Sequence, residues 1–452
     1  MFENVSLLNL VSFCGLLTML GLAWCMSSHK RRVNWRLVAM GLLLQLFLGA
    51  LLFNSQTWTF GGRFEGGILF YAFDAFFNLL KKWADEGGTF VFGAFVPVEG
   101  ENAFYATTPF FLLKTFVFGV LPTVVFFAAL MSVLYHVGIM EPIVRAMAWV
   151  MQKTLGTSGS ESLAAAANVF VGHTEAPLVV KPYIAGMTRS ELNAMMVGGF
   201  ATITGGLMAV FVALGVSAGH LVTASIISAP AALIIAKILQ PETEESKTLG
   251  LVKTKFEKQS TNFIEAAANG ASDGMKLAIN ITAMLIAFLA LIAMMDAILY
   301  GCGEVVEWLF FRSEDPSKAV DLQWSLRGLF GYVFWPFAWL MGIETKDCLM
   351  SGQLLGTKMV VNEFVAYSDL GNVIAGSHEQ VTISERTQII LTYALCGFSN
   401  FGAIGIQLGG IGPLAPNRKS DLAQLGLRAM IGGMLACCMT ACVAGLMYGI
   451  LK

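Results

Sequence analysis

The sequence predicts an all-α integral membrane protein with eight transmembrane helices, two re-entrant helical hairpins, helices lying in the interface and an inverted repeat. Three observations lead there: a composition too apolar for water, eight long uncharged runs, and two interrupted hairpins followed by the same ordered features. Of 452 residues, 56% are hydrophobic and only 13% are charged, and the mean hydropathy is +0.69. An ordinary globular chain carries about a quarter charged residues, so an apolar solvent has to replace the missing polar surface. A net charge of −2 and an isoelectric point near 6.2 leave no basic field for nucleic acid, which is excluded as a partner. The eight cysteines, at 14, 25, 302, 348, 396, 437, 438 and 442, lack paired C-x-x-C spacing and read as small core residues.

The first uncharged run, residues 7–26, is too long for a signal-peptide core and ends in Ser-Ser-His29-Lys30-Arg31-Arg32 with no small-residue cleavage site, so it counts as a span. Seven more follow, at residues 37–53, 115–135, 192–214, 221–236, 277–295, 389–414 and 430–451. An even number of spans puts both termini on one side. The basic clusters His29 to Arg32 with Arg36, then Lys247, Lys253, Lys255 and Lys258, then Arg418-Lys419, all follow odd-numbered spans. By the positive-inside bias those loops are cytoplasmic and both termini face outward. Residues 67–83 carry Asp74 and two lysines among bulky aromatics, and residues 328–343 are short, Trp-rich and broken by Pro336. Both suit helices lying in the interface.

Between Ser158 and Val180 an alanine-rich helix is interrupted by Gly172-His173-Thr174-Glu175-Ala176-Pro177 and resumes as LVVKPY. Each half is about ten residues where a span needs about twenty, which fits a re-entrant hairpin. Unwound backbone at membrane depth is tolerated only when buried in protein or lining a wet cavity, so the tip is expected inside the bundle. A second hairpin lies between Cys348 and Leu370 and contains Asn362-Glu363-Phe364-Val365-Ala366-Tyr367. After the first, Ser190-Glu191 opens a span holding Gly199-Phe200-Ala201-Thr202 and then Gly205-Gly206. After the second, Ser384-Glu385 opens one holding Gly397-Phe398-Ser399-Asn400 and then Gly409-Gly410. By span count one unit starts inside and the other outside, the inverted arrangement that places substrate and coupling ion at the midplane.

Glu175 and Glu363 are the chief intramembrane carboxylates, one in each hairpin. An ionisable residue inside a membrane marks a functional site by default, and two carboxylates invite donors, such as the vicinal hydroxyls of a sugar or nucleoside. An anionic substrate is disfavoured because no intramembrane arginine is evident to receive it. Asn168, Thr202 and Asn400 carry neutral oxygens on helices with glycine breaks, the kind of source from which a monovalent cation is coordinated; interhelical hydrogen bonding is the plainer use of each one alone. Phe364, Phe398 and Phe401 could stack on a flat ring or serve as core. His173 has no partner histidine or cysteine in the nearby sequence for zinc and reads as a neutral donor-plus-acceptor.

Three motifs resemble the signatures of the concentrative nucleoside transporters: the stretch from Asn168 through Gly172-His173-Thr174-Glu175 to Pro182; Asn362-Glu363-Phe364-Val365-Ala366-Tyr367; and Cys396-Gly397-Phe398-Ser399-Asn400-Phe401 followed by Leu408-Gly409-Gly410. The likeness runs from the first span to the last. It implies a homotrimeric symporter of the bacterial inner membrane that takes up one nucleoside per protomer by elevator-like motion. The division it implies is a scaffold with interfacial helix over 1–138, a first hairpin and repeat unit over 139–240, a cytoplasmic loop, central scaffold helix and interfacial helix over 241–344, a second hairpin and repeat unit over 345–420, and a last transmembrane helix over 421–452. Base-side contacts map onto His173, Thr174 and Glu175, flanked by Leu207 and Phe398, and ribose contacts onto Glu363 and Asn400. The sodium site maps onto Asn168, Val171, Thr202 and Ile203, partly through backbone carbonyls. Sodium is then the coupling ion, with no organic cofactor. Two departures stand out: His173 where the family usually has Gln, and Ala403 where a Ser hydroxyl often reaches ribose.

Proton coupling through Glu175, Glu363 or His173 is the alternative within this class. An intramembrane hydrolase would need a nucleophile with its base or a metal pair, and neither G-x-S-x-G nor H-E-x-x-H occurs. A passive channel would differ in failing to accumulate substrate.

Overall fold

The computed structural model describes residues 7–54, 68–92, 116–248, 260–310, 324–374 and 383–448, and no strand occurs among them. Helices α1 (Leu7–Cys25) and α2 (Trp35–Asn54) are mostly apolar and are joined by the basic turn at Lys30–Arg32. Next come α3 (Ile68–Phe92), α4 (Phe116–Val137) and α5 (Met140–Leu155). The amphipathic α3 matches the first expected interface helix and continues beyond it to Phe92, while Gly67 and the side chain of Asp74 lie outside the described residues. The chain bends by 80° between α4 and α5. The sequence reading did not single out α5, yet its buried Met140, Val144, Ala148, Met151 and Leu155 recur at helical spacing.

The first hairpin starts with α6 (Gly159–Asn168), opened by a capping box in which Ser158 and Glu161 satisfy each other's backbone donors. Its returning arm is not one helix of ten residues, as expected, but two short ones, α7 (Ala176–Val179) and α8 (Lys181–Ile184). Pro182 explains the correction, because it has no N–H to donate back to Leu178 O and the arm is interrupted at Val180, which stands at φ −109 and ψ 10; Pro177 sits in the first turn of α7, where a missing N–H is tolerated. The following span is broken in two, α9 (Arg189–Ala201) and α10 (Gly205–Ala213), and leads to α11 (Ala218–Leu239). The central run at 277–295 is one part of a 48-residue helix, α12 (Phe263–Phe310). Then follow α13 (Leu326–Leu340), the second hairpin as α14 (Cys348–Val360) and α15 (Glu363–Ile374), a second broken span as α16 (Glu385–Leu395) and α17 (Phe401–Ile411), and α18 (Lys419–Met447).

Among the described residues α1, α2, α11, α18 and the α9–α10 pair are each long and apolar enough to cross a membrane, and α4 with α5 qualifies as a bent pair. Of the eight expected runs, two are interrupted rather than continuous, at 202–204 and 396–400. Residue 115, residues 449–451 and the lysines at 253, 255 and 258 fall outside the described residues. The core sits where α18 packs against α1, α9, α11, α16 and α17, with α2 and α3 on α11. A second body pairs α4 with α12. There a Cβ on Gly270 would come 2.6 Å from the carbonyl of Ala128, so the two backbones approach as closely as small residues permit. The second expected interface helix, α13, lies along α14 and also meets α1.

Each hairpin base is tied to the start of the span that follows it. In the first unit Thr188 caps α9 with Glu191 completing the box, and Ser160 Oγ donates to Glu191 Oε1 at 3.3 Å. Lys237 of α11 locks this base through an ion pair to Glu161 at 2.7 Å, both side chains being buried. In the second unit Ser384 caps α16, and Thr387 Oγ1 donates to Asp347 Oδ2 at 2.7 Å. The caps explain why Ser-x or Thr-x-x before an apolar run recurs in both units, although the first cap is Thr188 and not Ser190.

Candidate functional site

The two hairpin tips and the two helix breaks form the candidate site. In the first unit α6 ends at Asn168, and Gly205 N donates to Phe170 O at 3.1 Å, which stitches the tip to the first residue of α10. The link between α9 and α10 is extended, with Thr202 at φ −126 and ψ 163. Thr204 then caps α10 by accepting from Leu207 N at 3.1 Å. Thr202 Oγ1 donates to Gly198 O at 2.9 Å, and Asn168 lies against the same Gly198, where a Cβ would come 3.0 Å from Nδ2. Asn168 is 1% exposed, yet neither Oδ1 nor Nδ2 has a hydrogen-bond partner among the described residues. A buried polar group left unpaired costs about 1 to 3 kcal/mol, so this amide is held ready for something outside the chain. Val171 on the tip and Ile203 on the link are both buried. The four residues mapped to sodium therefore lie along one seam, between the tip of the first hairpin and the first break.

In the second unit Asn362 Oδ1 accepts from Val365 N at 2.9 Å and so starts α15, whose first residue is Glu363. Glu363 is 4% exposed. Its Oε2 accepts from Asn400 Nδ2 at 3.1 Å, while Asn400 Oδ1 caps α17 by accepting from Ala403 N at 2.8 Å. One amide thus fixes both the helix start and the carboxylate. The two breaks also meet each other: Ser399 Oγ donates to Phe200 O at 3.1 Å, and Cys437 of α18 donates to Cys396 O at 3.1 Å.

His173 joins the units. Its ring stands edge-on to Phe398 with centroids 4.5 Å apart, and neither ring nitrogen has a partner among the described residues. Room for it comes from Gly199, where a Cβ would lie 2.7 Å from His173 Cβ and 2.6 Å from Gln407 Nε2. Leu207 is buried in the first turn of α10. Thr174 is half-buried, and its methyl group would meet a Cβ on Gly410 at 2.9 Å. Glu175 departs from the expectation of a tip enclosed in the bundle, since it is exposed. No lysine or arginine pairs with it among the described residues, and unlike Glu363, which Asn400 holds, it has no side-chain donor there to offset the cost of burial. Phe401 also faces outward at 48% exposure, and Phe364 packs with Phe211.

Three buried polar residues escaped the sequence reading. Gln407 is fully buried and donates to Met196 O at 3.1 Å, with Oε1 unpaired among the described residues; its signal was a lone amide inside an apolar run. Lys358, fully buried in the last turn of α14, donates to Ala394 O at 2.8 Å. Arg386 is buried as well: it donates to Gly342 O and Gly445 O, each at 2.8 Å, and to Asn9 Oδ1 at 3.0 Å. Nine residues of helix place it about 14 Å from the second break, where it clamps α1, α13 and α18 to α16.

A hairpin, a capped span, a break and a recapped half-helix occur twice in one order, and the polar groups of both breaks converge among apolar helices. That is the architecture of a secondary transporter built on discontinuous helices. Three family models cover the chain: Na+ dependent nucleoside transporter N-terminus over residues 14–95, Nucleoside recognition over 117–218, and Na+ dependent nucleoside transporter C-terminus over 220–445. The chain is 39% identical over 450 residues to Solute carrier family 28 member 3 of Eptatretus stoutii, covering 97% of this chain and 61% of that protein. It is also 39% identical over 451 residues to Sodium/nucleoside cotransporter 1 of Mus musculus, covering 97% and 64%. The chain thus spans about three fifths of the length of the curated relatives it matches. Among solved structures it is similar to CNTnw in an inward-facing substrate-bound state, with TM-score 0.84, 38% identity and coverage of 98% and 99%. A CNTnw variant in an outward-facing state is similar too, with TM-score 0.85, 37% identity and coverage of 98% and 99%. The chain belongs to the concentrative, Na+ dependent nucleoside transporter family, whose members are transporters and not enzymes.

Proposed function

We propose that this chain is a sodium-coupled symporter that takes up nucleosides across the bacterial inner membrane by elevator-type alternating access. The observation that carries the reading is the convergence of both breaks. One seam presents the unpaired Asn168 amide beside Thr202, and the other presents Glu363, oriented by Asn400, beside Phe398 and His173. Sodium is a co-substrate here, held by Asn168, Thr202 and the backbone of Val171 and Ile203. The nucleoside lies against Phe398 and Leu207, with its base toward His173, Thr174 and Glu175 and its ribose hydroxyls on Glu363 and Asn400. Because tip and break share hydrogen bonds, ordering the seam around the ion also sets the floor of the nucleoside site, which couples the two ligands reciprocally.

The helix contacts favour a moving body of the two repeat units, 139–240 and 345–420, with α1, α2 and α18 packed on it, and a scaffold built on α4 and α12. This draws α1 and α2 away from the scaffold proposed for 1–138. A homotrimer with both termini outside completes the reading and rests on the family resemblance and the basic loops. Uptake of a radiolabelled nucleoside panel into proteoliposomes tests it: accumulation driven by an imposed sodium gradient supports symport, and mere equilibration supports a channel. Transport that persists unchanged when choline replaces sodium moves the coupling to protons and to Glu363, Glu175 or His173.

A further inference from the structure

The two repeat units solve one electrostatic problem in two ways. In the first, α9 unwinds at Thr202, and the last turn of the hairpin's first arm offers Asn168, whose amide has no partner among the described residues. In the second, α16 unwinds at Cys396, and the last turn of the hairpin's first arm offers Lys358, whose Nζ donates at 2.8 Å to Ala394 O in the last turn of α16. Tyr367 Oη adds a second donor to the same helix end, 2.6 Å from Thr392 O. A helix that stops inside a membrane leaves carbonyl oxygens and the negative end of its dipole without partners. A cation at that end answers both needs, and here one unit carries its cation covalently. Lys358 is fully buried and no carboxylate lies within ion-pair distance of it among the described residues; its direct partner is the helix end, and its charge is also felt by the Glu363 carboxylate at the tip of the same hairpin.

We infer that Lys358 is a fixed cation occupying, in the second repeat, the place that the exchangeable sodium takes in the first, so that one mobile cation is needed per cycle where the symmetry of the fold offers two places. The inference rests on the sodium reading of Asn168 and Thr202. Lys358 is a positioning residue: its ammonium holds the end of α16 and hence the turn that carries Phe398 and Asn400 to the substrate.

The test measures nucleoside binding to purified full-length protein against sodium concentration, in wild type, Lys358→Met, Lys358→Arg and Asn168→Ala. Wild type and Lys358→Arg are expected to show a hyperbolic dependence with a slope of about one, whereas Lys358→Met steepens toward two and needs several-fold more sodium, because an ion now enters the emptied place. A folded Lys358→Met with the wild-type sodium curve, or one that no sodium concentration restores, overturns the inference. Asn168→Ala separates the failures: an unshifted sodium requirement there defeats the sodium reading itself. Should Lys358→Met not fold, charge movement in wild-type proteoliposomes decides, since one positive charge per neutral nucleoside agrees with a fixed second cation and two refute it.

Discussion

The first hairpin is anchored at its base and unsatisfied at its tip, while the second keeps no buried side-chain polar atom unpaired among the described residues. At the first base Lys237 pairs with buried Glu161 and Glu191 gathers hydroxyls from Ser160, Ser246 and Thr248. At its tip Asn168 and His173 keep four buried polar atoms without partners among the described residues. At the second tip Asn362 caps its helix, Glu363 is held by Asn400, and Lys358 is spent on a carbonyl. Unpaired buried groups are expensive, so they persist where a mobile ligand completes them, whereas a paired carboxylate marks a surface already set for what it binds. The difference supports the proposal that the exchangeable ion belongs to the first unit and the preorganised substrate contact to the second.

Removing one partner of the basal lock is the largest expected effect. Lys237→Met leaves Glu161 buried and unpaired, which costs about 3 to 5 kcal/mol, and thermal unfolding in detergent should fall accordingly. The double variant Lys237→Met with Glu161→Gln should recover most of the loss; failure to recover would mean that the base is held by its hydroxyl network alone. Next comes Glu363→Gln, which keeps the shape but removes the charge. The loss of a charged acceptor is worth about 1.5 to 3 kcal/mol, so uridine affinity should drop more than tenfold with the fold intact, and wild-type affinity would break the comparison at its second half. A smaller effect is expected at the seam: Asn168→Ala and Thr202→Ala should each raise the sodium concentration for half-maximal uptake several-fold and weaken nucleoside binding at low sodium by the same factor. Both measurements have to move together.

Much of this contrast was legible in the sequence, because it depends on local rules. Glycine and proline inside an apolar run marked the first hairpin, and lone polar residues such as Asn168 and Glu363 stood out against their surroundings, but the two spans that follow the hairpins read as continuous although their glycines were noted. What could not be read was partner choice, since the Asn400 to Glu363 bond spans 37 residues and the Ser399 to Phe200 bond spans 199. The exposure of Glu175 was missed for the same reason: a motif gives the order of residues but not which side of a tip faces the bundle. Lys358 and Arg386 escaped notice because neutral carbonyl partners leave no trace in sequence.

The smallest expected effect belongs to His173, one of the two departures that the resemblance implies. Its ring is pressed edge-on to Phe398 with both nitrogens unpaired among the described residues, so the neutral imidazole can donate from one nitrogen and accept at the other toward a bound base. A glutamine amide at the same place offers two N–H donors on one atom and an acceptor oxygen beside it, a different pattern for the same base edge. His173→Gln should therefore shift the ratio of purine to pyrimidine uptake by a few-fold while leaving the sodium requirement unchanged. The measurement compares competitive uptake of the two nucleoside classes by both proteins at one fixed pH. An identical ratio in both proteins would make His173 a packing partner of Phe398, and the unpaired atoms of the first tip would then speak for the ion alone.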